Sequence, residues 1–141
     1  QEARDLGVPT GGWAPLDWWT ENGAAPWLGD LFGLKECPQK GYPARTGMNV
    51  RDSDLTLIFG NQWSPGCLLT ARYCGLFKKT AFYVGWPYAD DAFRARRIEA
   101  WRDMMIDNPG FKVLNVAGNR ESRNPGIQEA CRAFVREVLR G

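Results

Sequence analysis

Three short apolar runs, each followed by a stretch with helical spacing, constrain this chain more than any other feature. They are LTLIF (55–59), TAFYV (80–84) and KVLNVAG (112–118). Runs of strand length with little polar alternation suit a parallel sheet covered on both faces. The intervening segments read as helices. SPGCLLTARYCGLF (64–77) offers Ser64 as N-cap and Pro65 at the first helical position, with Leu68, Ala71, Cys74 and Leu76 on its apolar side. Residues 90–107 set Phe93, Ile98, Trp101 and Met105 inward. The closing segment, with Pro125 at its start, does the same with Ile127, Cys131, Phe134, Val135 and Val138. Strand–helix repeated three times predicts an α/β fold with residues 1–141 as one domain. Segments 55–59, 80–84 and 112–116 should be adjacent parallel strands with helices on both faces.

The first part of the chain is less regular. VPTGGW (8–13) reads as a short strand entering a loop. Residues 14–46, rich in Pro, Gly and Trp, are too long for a turn and predict an ordered functional loop, with a weak strand near 34–37. RTGMNVRDSD (45–54) reads as a short helix ending near Asp54. QEARDLG reads as the last turns of a helix, with Ala3 and Leu6 apolar and Gly7 at its C-terminal stop. A helix this short is marginal alone. The expectation is that a strand and the front of this helix precede Gln1.

Composition removes several chemistries. The chain has no histidine, which excludes His-dependent triads and His-ligated metal sites. Four cysteines at 37, 67, 74 and 131 show no CxxC spacing, so no metal site is expected. They read as free thiols of a cytoplasmic protein, Cys74 and Cys131 in the core. No apolar stretch approaches the length of a membrane span. A net charge of +2 disfavours nucleic acid as a partner. The charge is uneven: residues 1–93 hold 8 basic and 10 acidic groups, residues 94–141 hold 10 and 6. Most of the later basic groups are Arg, which suits an anion site.

In a parallel α/β sheet, ligands bind beyond the carboxyl ends of the strands. Here those ends are 60–66, 85–88 and 117–126. GNQWSPGCLLT (60–70) opens a helix with Ser64, Pro65 and Gly66, whose N–H groups and dipole favour an anion. NVAGNRESRNPGI (115–127) places Arg120, Ser122 and Arg123 before a second such opening at Pro125 and Gly126. Phosphate is expected where the two openings converge, clamped by Arg120. YPARTGMNVRDSD (42–54) supplies Arg45, Asn49, Asp52 and Asp54. Asn49 and Asp52, three apart, share a helix face and could meet a ribose or a base edge. The bland alternative for each is a capped helix start or a solvated face. Four of the seven tryptophans lie within 13–27, as a stacking surface or a hydrophobic lid.

Together these segments carry a resemblance. GVPTGGWAP, TENG, YPARTGMNVRDSDLTLIFG, SPG…LT and LNVAGNRESRNPGI resemble, in order and spacing, the molybdenum carrier family, a circularly permuted branch of the YpsA-like SLOG superfamily. The resemblance spans nearly the whole chain. It implies a Rossmann-like three-layer fold with a mostly parallel sheet, its first strand and helix missing or truncated here. It also implies binding of a nucleotide or nucleotide-derived ligand, or of molybdenum cofactor. By position, the ligand-side residues it implies are Gly12, Trp13, Glu21, Gly23, Arg45, Asn49, Asp52, Asp54, Ser64, Gly66, Thr70, Gly118, Arg120, Ser122 and Gly126. This sequence departs from the pattern. The usual Ser-Gly-Gly-Gln-Thr-Gly loop is absent, and Pro65-Gly66-Cys67 replaces Gly-Gly-Thr. Asn119 stands in a common Pro position and Gln128 in a common Tyr position.

Three functions remain open. The first is a binding protein for a small anionic, nucleotide-like ligand, with a second copy of the chain as a further partner and no membrane. The second is a SLOG-type enzyme similar to nucleoside-monophosphate phosphoribohydrolases. Their PGGxGTxxE pattern puts a Glu on the helix that here has no acid through Phe77, so Glu21, Asp52 or Glu121 would have to substitute. The third is an interaction protein using the fold alone.

Overall fold

The computed structural model describes residues 1–20, 22–39 and 42–140, with Tyr42 as backbone only. The centre of the molecule is the strand β5 (Leu55–Gly60), buried along its whole length. By then the chain has laid down α1 (Glu2–Asp5), β1 (Gly12–Ala14), a 3-10 turn (Leu16–Trp18), β2 (Trp19–Thr20), β3 (Gly23–Ala24), α2 (Trp27–Phe32), β4 (Leu34–Glu36) and α3 (Tyr42–Arg51). After it come α4 (Pro65–Leu76), β6 (Thr80–Gly85), α5 (Asp91–Asp107), β7 (Leu114–Gly118), a second 3-10 turn (Glu121–Arg123) and α6 (Ile127–Arg140).

The main sheet has the order β6-β5-β7, and both pairings are parallel. This is the predicted arrangement of the three apolar runs. Leu55, Leu57 and Phe59 form one core with Phe82 and Val84 of β6, Ile98 and Trp101 of α5, and Ile127, Phe134 and Val138 of α6. Trp101 meets Phe82 edge-on at 5.2 Å, and Phe134 meets Phe59 at 5.8 Å. The other face of β5 is covered by α4, packed beside α3, with Thr56 against Cys74. Helices thus lie on both faces of a parallel sheet, the three-layer Rossmann-like arrangement.

Several sequence expectations need correction. The runs at 80–84 and 112–118 are not buried like β5, because among the described residues they are the two edges of the sheet. Tyr83, Val113 and Val116 are exposed, and the last strand starts at Leu114. On α4 the buried positions are Cys67, Thr70 and Cys74, while Leu68 and Leu76 face outward. The stripe at i, i+3 and i+7 from Cys67 is the one that the sheet beneath selects. The short helix starts at Tyr42 rather than Arg45, and the first strand at Gly12 rather than Val8. The loop at 14–46 also holds α2 and a hairpin of β2 with β3, while β1 pairs with β4 as a separate parallel ribbon.

In α1 the buried group is Glu2, not Leu6. Its two carboxylate oxygens accept from Arg132 Nε at 2.9 Å and Arg136 Nε at 2.6 Å, docking α1 on α6. Those guanidiniums, Arg132 first, hold its carboxyl below the usual range. Four free thiols are present, and burial pushes the Cys131 thiol up to about 11. Among the described residues no helix is long and apolar enough to cross a membrane.

Candidate ligand-binding site

The carboxyl ends of β5 and β7 are pressed together more closely than side chains would allow. A Cβ at Gly118 would lie 2.3 Å from the Phe59 carbonyl oxygen. A Cβ at Gly60, whose φ is +135°, would lie 2.2 Å from Asn119 Oδ1. Both glycines are therefore required, the second also by its backbone conformation. Into the space they leave, Asn119 reaches across to the turn between β5 and α4. Its Oδ1 accepts the Asn61 N–H at 2.6 Å, and its Nδ2 donates to Ser64 Oγ at 2.7 Å. Ser64 Oγ in turn donates to the Asn61 carbonyl at 2.8 Å.

This network overturns the expected capping role of Ser64. The residue occupies the N-cap position with extended backbone, but its hydroxyl makes no bond to the first turn of α4. The N-terminus of α4 therefore has no side-chain cap. The space before Gly66 is open: a Cβ there would meet nothing within 4 Å.

The second predicted opening behaves differently. Glu121 lies just upstream of α6, and its two oxygens accept the N–H groups of Gly126 and Gln128, both at 2.8 Å. These bonds, Gln128 first, hold its carboxyl below the usual range. The α6 start carries its own anion, so Gly126 does not join Ser64 and Gly66 in a shared anion site.

The polar face of α3 does a third thing. Asn49 brackets the backbone of Trp13, accepting its N–H at 2.7 Å and donating to its carbonyl at 3.1 Å. Asp52 accepts the Trp13 indole N–H at 2.8 Å. Its neighbour Arg51, and then Trp13, lower the Asp52 carboxyl to about 2. Asp54 accepts the N–H groups of Lys112 and Val113 at 2.7 and 2.8 Å, which starts β7, and these bonds lower its carboxyl too. Both aspartates hold the chain in place; for Asp52, with Asn49, a ribose or base-edge contact was the alternative to a polar helix face.

These elements surround a cavity of about 830 Å3. Of the residues named from sequence, Trp13, Arg45, Asn49, Ser64, Gly66, Thr70, Gly118 and Arg120 line it. Gly12, Gly23, Asp52, Asp54 and Gly126 do not, and Ser122 lines a neighbouring cavity of about 820 Å3. Glu21 lies outside the described residues. The neighbouring cavity is walled mainly by Phe59, Val116, Ile127, Cys131 and Val135, and its charged groups Glu2, Glu121 and Arg132 are engaged. The first cavity is the donor-rich one, adding Arg123, Asn61, Asn119 and Asn124 to Arg45 and Arg120. Among the described residues no aspartate or glutamate lines it. Sequence reasoning missed Asn119 as a site residue. Its only signal was its place directly after the Ala117-Gly118 end of a strand.

The family described as "Circularly permutated YpsA SLOG family" matches residues 1–139. No curated protein matches the sequence. Among solved structures the chain is similar to one named "Putative molybdenum carrier protein" from Syntrophus aciditrophicus SB. The two are 28% identical with a TM-score of 0.75, over 98% of this chain and 84% of that one.

Proposed function

The chain belongs to the circularly permuted YpsA SLOG family, and from that premise we propose that it binds a nucleotide or nucleotide-derived anion at the carboxyl edge of its sheet. One observation carries the reading: the uncapped N-terminus of α4 opens into a cavity that also receives Arg45, Arg120 and Arg123. A helix start left without its own anion, beside guanidinium forks, is a favourable environment for phosphate. The same donors suit molybdate, the oxyanion closest to the name of the Syntrophus protein. Two of the acids weighed as catalytic substitutes are engaged elsewhere, Asp52 with Trp13 and Glu121 with α6. This favours binding over hydrolysis. Four free thiols fit a reducing compartment such as the cytoplasm.

Calorimetric titration with AMP, inorganic phosphate and molybdate tests the proposal. A charge-assisted hydrogen bond contributes roughly 1.5–3 kcal/mol, so Arg120→Ala should weaken binding of the phosphate-bearing ligand about tenfold or more. Arg120→Lys should restore it only in part, because the fork is lost. Equal affinities in all three proteins would place the anion elsewhere.

A further inference from the structure

Building on that reading, we infer that the ligand carries a flat heteroaromatic ring besides its anionic group, and that Trp19 is the residue that receives the ring. Size is the first argument. A tetrahedral oxyanion fills the space of a few waters, each about 30 Å3. The cavity measures about 830 Å3, within the range of about 300–1,000 Å3 typical of sites for organic ligands.

The second argument is how the cavity wall is divided. Its cationic groups come from α3 and the segment after β7, and its amides from α3, the β5–α4 turn, β7 and the segment after it. Most of its large apolar groups, and both of its tryptophans, come from the first part of the chain: Trp13, Pro15, Trp19, Leu28 and Leu34, joined by Leu69 of α4 and Val116 of β7. The cations thus come from one set of segments and the aromatic surface from another.

The third argument separates the two tryptophans. Trp13 is committed, with its indole N–H on Asp52 and Lys35 Nζ over its ring at 5.9 Å. Trp19 is 57% exposed, and among the described residues its ring has no hydrogen-bond, ring or cation partner. An indole left open on the wall of a cation-bearing cavity is a stacking platform for a base-like ring.

AMP and ribose 5-phosphate separate this inference from the anion reading, because they share the sugar phosphate and differ in the base. The wild-type protein should bind AMP roughly tenfold or more tightly than ribose 5-phosphate, the scale of one base stacked on an aromatic residue. Trp19→Ala should collapse that preference, and Trp19→Phe should keep most of it. Equal wild-type affinities for the two probes would overturn the ring inference and leave the anion site standing. A preference that survives in Trp19→Ala would overturn the assignment of the ring to Trp19. If that variant does not fold, the wild-type comparison and Trp19→Phe still decide. Binding of neither probe would overturn the functional reading and this inference with it.

Discussion

The starts of α4 and α6 look alike in sequence and differ in chemistry. Each follows a strand of the same sheet and opens with a Pro-Gly pair at the same edge. At α6 the chain supplies its own anion, because Glu121 folds back onto the N–H groups of Gly126 and Gln128. At α4 the nearest capping hydroxyl is drawn away, because Ser64 bonds to Asn61 and receives the amide of Asn119. A helix dipole attracts an anion only when its first turn is not already satisfied. Under the proposed function, the capped start of α6 serves stability and the uncapped start of α4 is the one left for a ligand.

The strongest way to break this contrast is Gly60→Ala. It forces a side chain into a left-handed conformation and against Asn119 Oδ1. The strained backbone alone costs about 1–3 kcal/mol, so a drop of roughly 2 kcal/mol or more in denaturant-measured stability is expected. Phosphate binding should fall with it, because Asn119 can no longer hold the turn before α4. Unchanged binding would show that this turn needs no support from β7.

Glu121→Ala should produce the next largest effect, on the other helix. Loss of the α6 cap should lower the melting temperature by several degrees. Affinity at α4 should persist. Phosphate should raise the melting temperature of this variant more than that of the wild type, since a second helix start now lacks its anion. A variant as stable as the wild type would show that the cap contributes nothing.

Acid should separate the two ends most gently. The carboxyls of Glu121, Asp52 and Asp54 are lowered on folding, Asp52 from 3.8 to about 2. A lowered folded value means stability that is full above the ordinary carboxylate range and lost as pH falls through the depressed one. The loss should begin below about 4.5, the ordinary Glu value, and continue toward 2. The Asp52 side chain is 47% exposed, so its share is about 1 kcal/mol or less after screening. Glu121→Gln should flatten the upper part of this acid limb in a urea series. An identical pH profile would remove Glu121 from it.

How much of this was legible beforehand varied with the range of the forces involved. LTLIF was readable as a central strand because burial on both faces leaves no polar alternation, and β5 is buried throughout. The stripe on α4 was misread because Cys67 and Thr70 do not advertise burial while Leu68 and Leu76 do. The inward face there depends on how the helix sits over the sheet. Arg45, Ser64, Gly66 and Arg120 were readable as candidates from helix starts and residue chemistry, and they line one cavity.

By itself the sequence determined the order of strands and helices from β5 onward and the parallel sheet they form. These follow from periodicity and capping, which act within a few residues. Tertiary structure alone decided which polar groups remain free at the carboxyl edge of that sheet. Asn119 reaches Ser64 across 55 positions, and Asp54 meets the Lys112 N–H across 58. A hydrogen bond leaves no local pattern when its partners come from separate segments, so whether a donor is taken or open becomes readable only once the strands have brought those segments together.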